Sequence, residues 1–276
     1  MNDHRFHYNS INSRLPEYIS IYKITDTQIN LGSQGRVIKA VDQISKKFVA
    51  IKILPDEYDS YEQSILSSLM NDVYENDIKI ESFRTFHIYH ANIVQIIDVG
   101  NDTHLGPFFV MEWVDGGSLR DLISRSPHEL EIDLAINIVN NILEGLEVAH
   151  SYGIIHLDIK PENILLDENN IAKISDFGSS VEIDSAGGFI DRGTIGYIAP
   201  ERLIQKDAFL TISSDIFSVG VILSELLDFK NRILNNDIAN RLQEIINIST
   251  NKDPNSRYIS AKEMQEELEI VLNDIY

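Results

Sequence analysis

Cysteine is absent from the 276 residues, so disulfides, thiolate nucleophiles and Cys-ligated zinc are excluded outright. Positive charge is scarce. The chain has 23 Lys and Arg against 43 Asp and Glu, a formal net charge of −20 at pH 7. A surface that negative repels phosphodiester backbones and anionic lipid headgroups. It argues against nucleic acid and membrane as partners and favours basic protein segments as encounters. A phosphate-rich ligand would have to be met by local cations or metal ions strong enough to overcome that field. Long apolar runs are missing as well. The most apolar stretch, Ile216 to Leu227, is interrupted by Ser218, Gly220, Ser224 and Glu225 and is too short to span a bilayer. The opening MNDHRFHYNSINSRLPEYIS lacks the apolar core of a secretory leader, and a cytoplasmic location is expected.

What remains is an ordinary globular composition, 43% apolar and 24% charged, in a chain long enough for one large domain or two lobes. Residues 1–20 are polar and aperiodic and read as a tail or an extra strand. From Tyr22 to Leu54, β-branched and apolar residues recur in short runs broken by the turn-like LGSQG. Residues 55–90 suggest a loop and one or two helices. IVQIIDVG and PFFVMEWV read as two strands joined at NDTHLG. After Gly117 the period changes. Ala135, Ile138, Val139, Ile142, Leu143, Leu146 and Ala149 fall at three- and four-residue steps, which predicts an amphipathic helix over Leu134–His150. NILLD and AKISD are short strand candidates. Helical patterns then dominate from Thr211 to the end. Strands followed by helices imply an α+β fold with two unequal lobes.

The chemistry concentrates in a few segments. In INLGSQGRV, Gly32 and Gly35 lie in a turn between strand-like runs, where the backbone could approach a phosphate or simply close a hairpin. VAIK then places Lys52 on a strand, a setting in which lysines are usually solvated. The stretch IIHLDIKPENILL is harder to explain as a plain polar loop. Asp158 can accept a hydroxyl proton, Lys160 can balance phosphate charge, and Asn163 can offer an amide oxygen to a metal ion. Further on, a strand ends in Asp176-Phe177-Gly178, a carboxylate beside a glycine, which suits Mg²⁺.

This ordered set resembles the eukaryotic-type serine/threonine protein kinases from about residue 21 to 272. His156-Leu157-Asp158 resembles the family's catalytic loop, Asp176-Phe177-Gly178 its magnesium motif, and Ala199-Pro200-Glu201 the end of its activation segment. SDIFSVGVILSELL resembles its buried central helix, with Asp215 expected to hold the catalytic-loop backbone. In DPNSR, Arg257 is expected to pair with Glu201. The resemblance implies a bilobal fold with an N-lobe over about 21–111, a hinge over 112–117 and a C-lobe over 118–276. It also implies ATP and Mg²⁺ as cofactors and a protein hydroxyl as acceptor.

The roles it implies follow by position. Lys52 binds the α- and β-phosphates and pairs with a helix carboxylate, Glu81 by counting back from HANIV, with Glu75 or Glu62 as competitors. Asp158 orients and deprotonates the hydroxyl, and Lys160 shares in charge neutralisation. Asn163 and Asp176 hold Mg²⁺. Asn30, Gly32 and Gly35 form the phosphate loop. Val37, Ala50 and Leu165 sandwich adenine, beside the gatekeeper Met111 and the backbone of Glu112 and Val114. Asp115 either reaches the ribose or caps a helix. The lysine after Asp158 and GTIGYIAPE, with Thr194 expected on Asp158 and Lys160, resemble serine/threonine rather than tyrosine kinases. His156 is expected beneath Phe177.

Several positions depart from the family pattern. Asn30 replaces the first loop glycine, and Asn tolerates left-handed backbone, so ATP binding is expected to weaken rather than vanish. Leu157 replaces the arginine that receives an activation-loop phosphate, so activity is expected not to depend on phosphorylation at Ser179, Ser180 or Ser185. Thr85 stands where an apolar residue is usual. The stretch from Leu227 to Asp253 is short and leaves room for one helix, about Ile238–Ile248. His87 and His90 are three apart but lack a third ligand. With no sensor or transmembrane module in view, regulation is expected from a partner protein or from expression. The alternative reading is an ATP-binding pseudokinase acting as a scaffold. A small-molecule kinase of the aminoglycoside-phosphotransferase kind is disfavoured by GTIGY, APE and DPNSR.

Overall fold

Short β-branched runs between turns build the first half of the chain, and long apolar-faced helices build the second. The computed structural model describes residues 16–25, 30–32, 35–53, 88–102, 105–125, 130–182, 194–204, 211–227 and 236–275. The expectations for residues 1–15, for a loop and helices over most of 55–90, and for Glu62, Glu75, Glu81, Thr85, His87 and Ser185 lie outside them. The chain divides into two units, residues 1–58 with 97–113, and residues 59–96 with 114–276. One is rich in strands and the other in helices, the α+β, two-lobed class that the sequence predicts.

The first unit is an antiparallel sheet of β1 (Tyr18–Ile19), β2 (Tyr22–Ile24), β3 (Asn30–Gly32), β4 (Gly35–Asp42), β5 (Phe48–Ile53), β6 (Ile96–Asp102) and β7 (Gly106–Glu112). The order is β1-β2-β4-β5-β7-β6, with β3 also pairing to β4. The polar opening therefore ends in an extra strand, β1. Ile38, Ala40, Val49, Ile51 and Val110 pack with Ile19 and Phe108 into one core. Val49 to Ile53 are buried without alternation, the signature of a strand covered on both faces.

In the second unit, α1 (Leu119–Arg125) precedes α2 (Ile132–Ser151), which exceeds the expected Leu134–His150 by a residue or two at each end. All seven apolar positions that define the α2 stripe are at most 1% exposed. Burying each Ile or Leu of that stripe stabilises by about 1.5–3 kcal/mol. Two antiparallel pairs follow, β8 (Ile154–Ile155) with β11 (Val181–Glu182), and β9 (Ile164–Leu166) with β10 (Ala172–Ile174) between them in the chain. The helices α3 (Pro200–Ile204), α4 (Ser213–Leu227), α5 (Asn236–Ser249) and α6 (Ala261–Asn273) complete the unit. Helix α4 is buried on most of its surface. The Ser260 side chain accepts from the Glu263 N–H and caps α6. As the sequence predicts, a single helix, α5, occupies the described part of the stretch between Leu227 and Asp253. No described helix is long and apolar enough to cross a membrane.

Candidate active site

The loop after β8 carries four polar side chains that are almost sealed from water: His156 is 0% exposed, Asp158 5%, Lys160 9% and Asn163 6%. Buried polar groups need partners, and these find them in one another. Lys160 Nζ donates to Asp158 Oδ2 at 2.8 Å and to Thr194 Oγ1 at 2.8 Å. The Thr194 hydroxyl in turn donates to Asp158 Oδ1 at 3.3 Å. Asn163 Nδ2 donates to Asp158 Oδ2 at 3.0 Å and to the Asp158 carbonyl at 2.8 Å. Both carboxylate oxygens are thus aimed by donors, and the weaker bond leaves Oδ1 with room to accept a proton. Asp158, Lys160, Asn163 and Thr194 are brought together as expected.

Beneath the loop, Asp215 of α4 is 0% exposed. Its carboxylate accepts the backbone N–H groups of His156 and Leu157, each at 2.8 Å, and meets His150 Nε2 at 2.9 Å. Burial alone would raise its pKa. The His150 hydrogen bond, the electrostatic attraction of the neighbouring His150 and His156 rings and the His156 backbone N–H outweigh burial and hold it below the ordinary carboxylate range. Leu157 has φ +65°, a left-handed conformation costly for a side-chain-bearing residue. It is pinned on both sides: Asp215 holds its N–H, and Arg202 Nη1 donates to its carbonyl at 2.6 Å. The leucine that stands in place of arginine is 2% exposed, a packed core residue.

Asp176 sits just past β10 at φ +64°, and its side chain accepts from the Gly178 N–H. Ser175 fastens this turn to the loop that carries Asp158, donating to the Asn163 carbonyl from its N–H at 2.8 Å and its hydroxyl at 2.9 Å. Phe177 stands edge-on to His156 with ring centroids 4.7 Å apart. The His156 nitrogens are engaged, Nε2 with the Ser175 carbonyl at 3.1 Å and Nδ1 as acceptor of the Asp158 N–H at 3.3 Å. That leaves His156 no role as metal ligand or base. With its amide nitrogen on Asp158, Asn163 keeps Oδ1 free of hydrogen bonds among the described residues. An amide oxygen and a carboxylate are hard donors, so the set fits Mg²⁺ and does not fit a thiophilic metal. No group of three His, Cys, Asp or Glu side chains gathers among the described residues. Two protein ligands suffice where phosphates complete the shell.

In the strand unit, Lys52 is 4% exposed, unlike the solvated lysine usual on a strand. It lies in register with Val37 on β4 and Phe109 on β7. Ala50 pairs with Met111, and Val49 with Glu112. Asn30 pairs with Val37 and Gly32 with Gly35 across antiparallel β3 and β4. In the helical unit, Leu165 bridges to Ser118. Val114 is buried and Asp115 exposed. A Cβ at Gly116 would meet the Leu166 carbonyl oxygen at 2.5 Å, which is why glycine stands where this backbone docks on β9.

Arg257, as expected, grips Glu201 with two bonds, at 2.9 and 2.6 Å. Three supports escaped the sequence reading. His150 lies under Asp215, Arg202 holds the Leu157 carbonyl, and Arg120 joins Glu162, Glu225 and Tyr197. Their one signal is a charged or titratable residue beside or within an apolar run, as in VAH and APERLI.

Comparison with known proteins agrees with this geometry. The family model described as "Protein kinase domain" matches residues 24–275. A probable serine/threonine-protein kinase of Clostridium perfringens is 30% identical over 88% of this chain and 37% of its own length. The probable serine/threonine-protein kinase PknB of Lactococcus lactis is 30% identical over 86% of the chain and 40% of its own. The serine/threonine-protein kinase PknL of Mycobacterium tuberculosis is 27% identical over 91% and 66%. The chain spans about two fifths of the length of the first two relatives. The match covers nearly all of the sequence, including both units and the loop that carries Asp158, and the chain belongs to the protein kinase domain family.

Proposed function

We propose that this chain is the catalytic domain of a serine/threonine protein kinase that moves the γ-phosphoryl of Mg-ATP to a protein hydroxyl. The observation that carries this reading is the Asp158 carboxylate, aimed by Lys160, Asn163 and Thr194 in a nearly sealed loop. The substrate oxygen attacks the γ-phosphorus, the bond to the β-γ bridging oxygen breaks, and ADP leaves. Asp158 accepts the hydroxyl proton. Lys160 offsets negative charge on the group in transfer, and Lys52 does so on the α- and β-phosphates. Asn163 and Asp176 hold Mg²⁺, which when bound screens the phosphate oxygens. Glu81 is assigned to Lys52 by position in the family pattern, because a buried ammonium needs an anionic partner. Asn30, Gly32 and Gly35 serve the phosphates. Val37, Ala50, Met111, Glu112, Val114, Asp115 and Leu165 serve the nucleoside.

Leu157 supports activity without activation-loop phosphorylation: its side chain is apolar and packed, and no arginine at that position waits for a phosphate. Regulation then falls to a partner protein, and a cytoplasmic setting is consistent with the charge. Incubation with labelled ATP and Mg²⁺ tests the reading. The wild type labels itself or a protein acceptor, and Asp158→Asn loses that labelling by at least about a hundredfold while keeping its fold. ATP binding without transfer by the wild type would replace this reading with the nucleotide-binding scaffold.

A further inference from the structure

Arg120, second residue of α1, spends each guanidinium nitrogen on a different acceptor. Nε donates to Glu162 Oε1 at 2.7 Å, Nη1 to Glu225 Oε1 at 2.5 Å, and Nη2 to the Tyr197 hydroxyl at 2.6 Å. The Tyr197 hydroxyl in turn donates to Glu225 Oε2. Burial would lower the arginine's pKa, but its bonds to Glu225, Glu162 and Tyr197 more than reverse that. Both oxygens of Glu225 and one of Glu162 are taken.

The position of this knot matters more than its strength. Glu162 lies between Lys160 and Asn163, and Tyr197 follows three residues after Thr194, which bonds Asp158. The knot therefore ties the two segments that present Asp158. A peptide whose hydroxyl reaches Asp158 lays its neighbouring side chains close by. The side chains of Arg120, Glu162 and Glu225 are 30%, 45% and 31% exposed, so the knot faces solvent. Without Arg120, two carboxylates and a phenol would form a cradle for a guanidinium or ammonium group. With it, the cation is supplied from within the chain.

We propose that Arg120 determines specificity: by filling the Glu162–Glu225 cradle it makes the site accept segments that carry no basic residue beside the acceptor hydroxyl. This rests on the kinase reading and names its substrate class. The overall charge of −20 still favours basic proteins as distant encounters, but next to the catalytic loop a basic side chain finds its place occupied.

The test uses fluorescent acceptor peptides in which Arg or Ala is scanned through the positions flanking the hydroxyl. Binding to the full chain is read by anisotropy, with no turnover required. Wild type should bind Arg and Ala peptides within about threefold of each other, whereas Arg120→Ala and Arg120→Gln should each prefer one Arg peptide by about tenfold or more. Adding Glu162→Gln and Glu225→Gln should abolish that preference, which a merely loosened fold would not do. A wild type that already prefers an Arg peptide tenfold, or Arg120 variants with unchanged preference, would overturn the proposal. Loss of phosphate transfer to every peptide, with the binding pattern as expected, would instead strike the kinase reading.

Discussion

Replacing Asp215 by asparagine tests whether the loop that carries Asp158 is held from below. The aspartate offers two oxygens to three donors: Oδ1 takes the Leu157 N–H, and Oδ2 takes the His156 N–H and faces His150. Asparagine keeps one oxygen and turns an NH₂ toward the others, so in either orientation a buried backbone N–H loses its acceptor. An orphaned buried donor costs about 1–3 kcal/mol and a lost bond to a charged group about 1.5–3. The sum, about 2.5–6 kcal/mol, brackets the usual penalty for breaking a buried pair. Leu157 compounds the loss, because its left-handed backbone costs about 1–2 kcal/mol and persists only while clamped. At about 2–4 °C per kcal/mol for a chain this large, Tm should fall by on the order of 10 °C. The His156 and Leu157 amides should lose hydrogen-exchange protection. The effect also has a pH signature. The folded pKa of Asp215 lies below its ordinary value, so its contribution is present above the usual carboxylate range and disappears as pH falls through the folded value. The gap between wild type and variant should therefore narrow in acid. A Tm within about 2 °C of wild type at neutral pH, or unchanged protection of the two amides, would refute the reasoning.

Arg257→Lys should destabilise by about 2–4 kcal/mol in urea unfolding, because lysine cannot reproduce the two bonds to Glu201 or the bonds to the Ser213 and Asn251 carbonyls from a side chain that is 0% exposed. Gly220→Ala should cost about 1–3 kcal/mol by overpacking, since its Cβ would lie 2.2 Å from Ser249 Oγ, where α4 meets α5. Ser249→Gly in the same chain should recover part of that loss in the same unfolding measurement.

The parts that were legible in the sequence are those whose chemistry is written in a short segment. Asp158, Lys160 and Asn163 fall within six residues, and a single turn suffices to bring them together. Residue type and spacing together therefore almost determine the contact. Helix α2 was legible for a similar reason: its stripe repeats often enough that a shift of one residue would bury Asn141 in place of Ile142 or Glu144 in place of Leu143. The two-residue strand β1 has no period to detect.

The supports obey another logic. Arg120 meets partners 42, 77 and 105 positions away, and an exposed-looking arginine in LRDLIS carries no mark of that. The same holds for Arg202, which donates to a carbonyl, a group every residue possesses, so the sequence does not mark that contact. His150 differs in degree, because its partner Asp215 could be assigned to the loop backbone but not to a third donor. A carboxylate has two oxygens and four lone-pair sites, and in a dry core each unfilled site is a cost. Assigning the loop backbone to Asp215 leaves lone-pair sites that a donor from a helix packed against α4 can fill. That helix is α2, and His150, in its last turn, reaches the second oxygen.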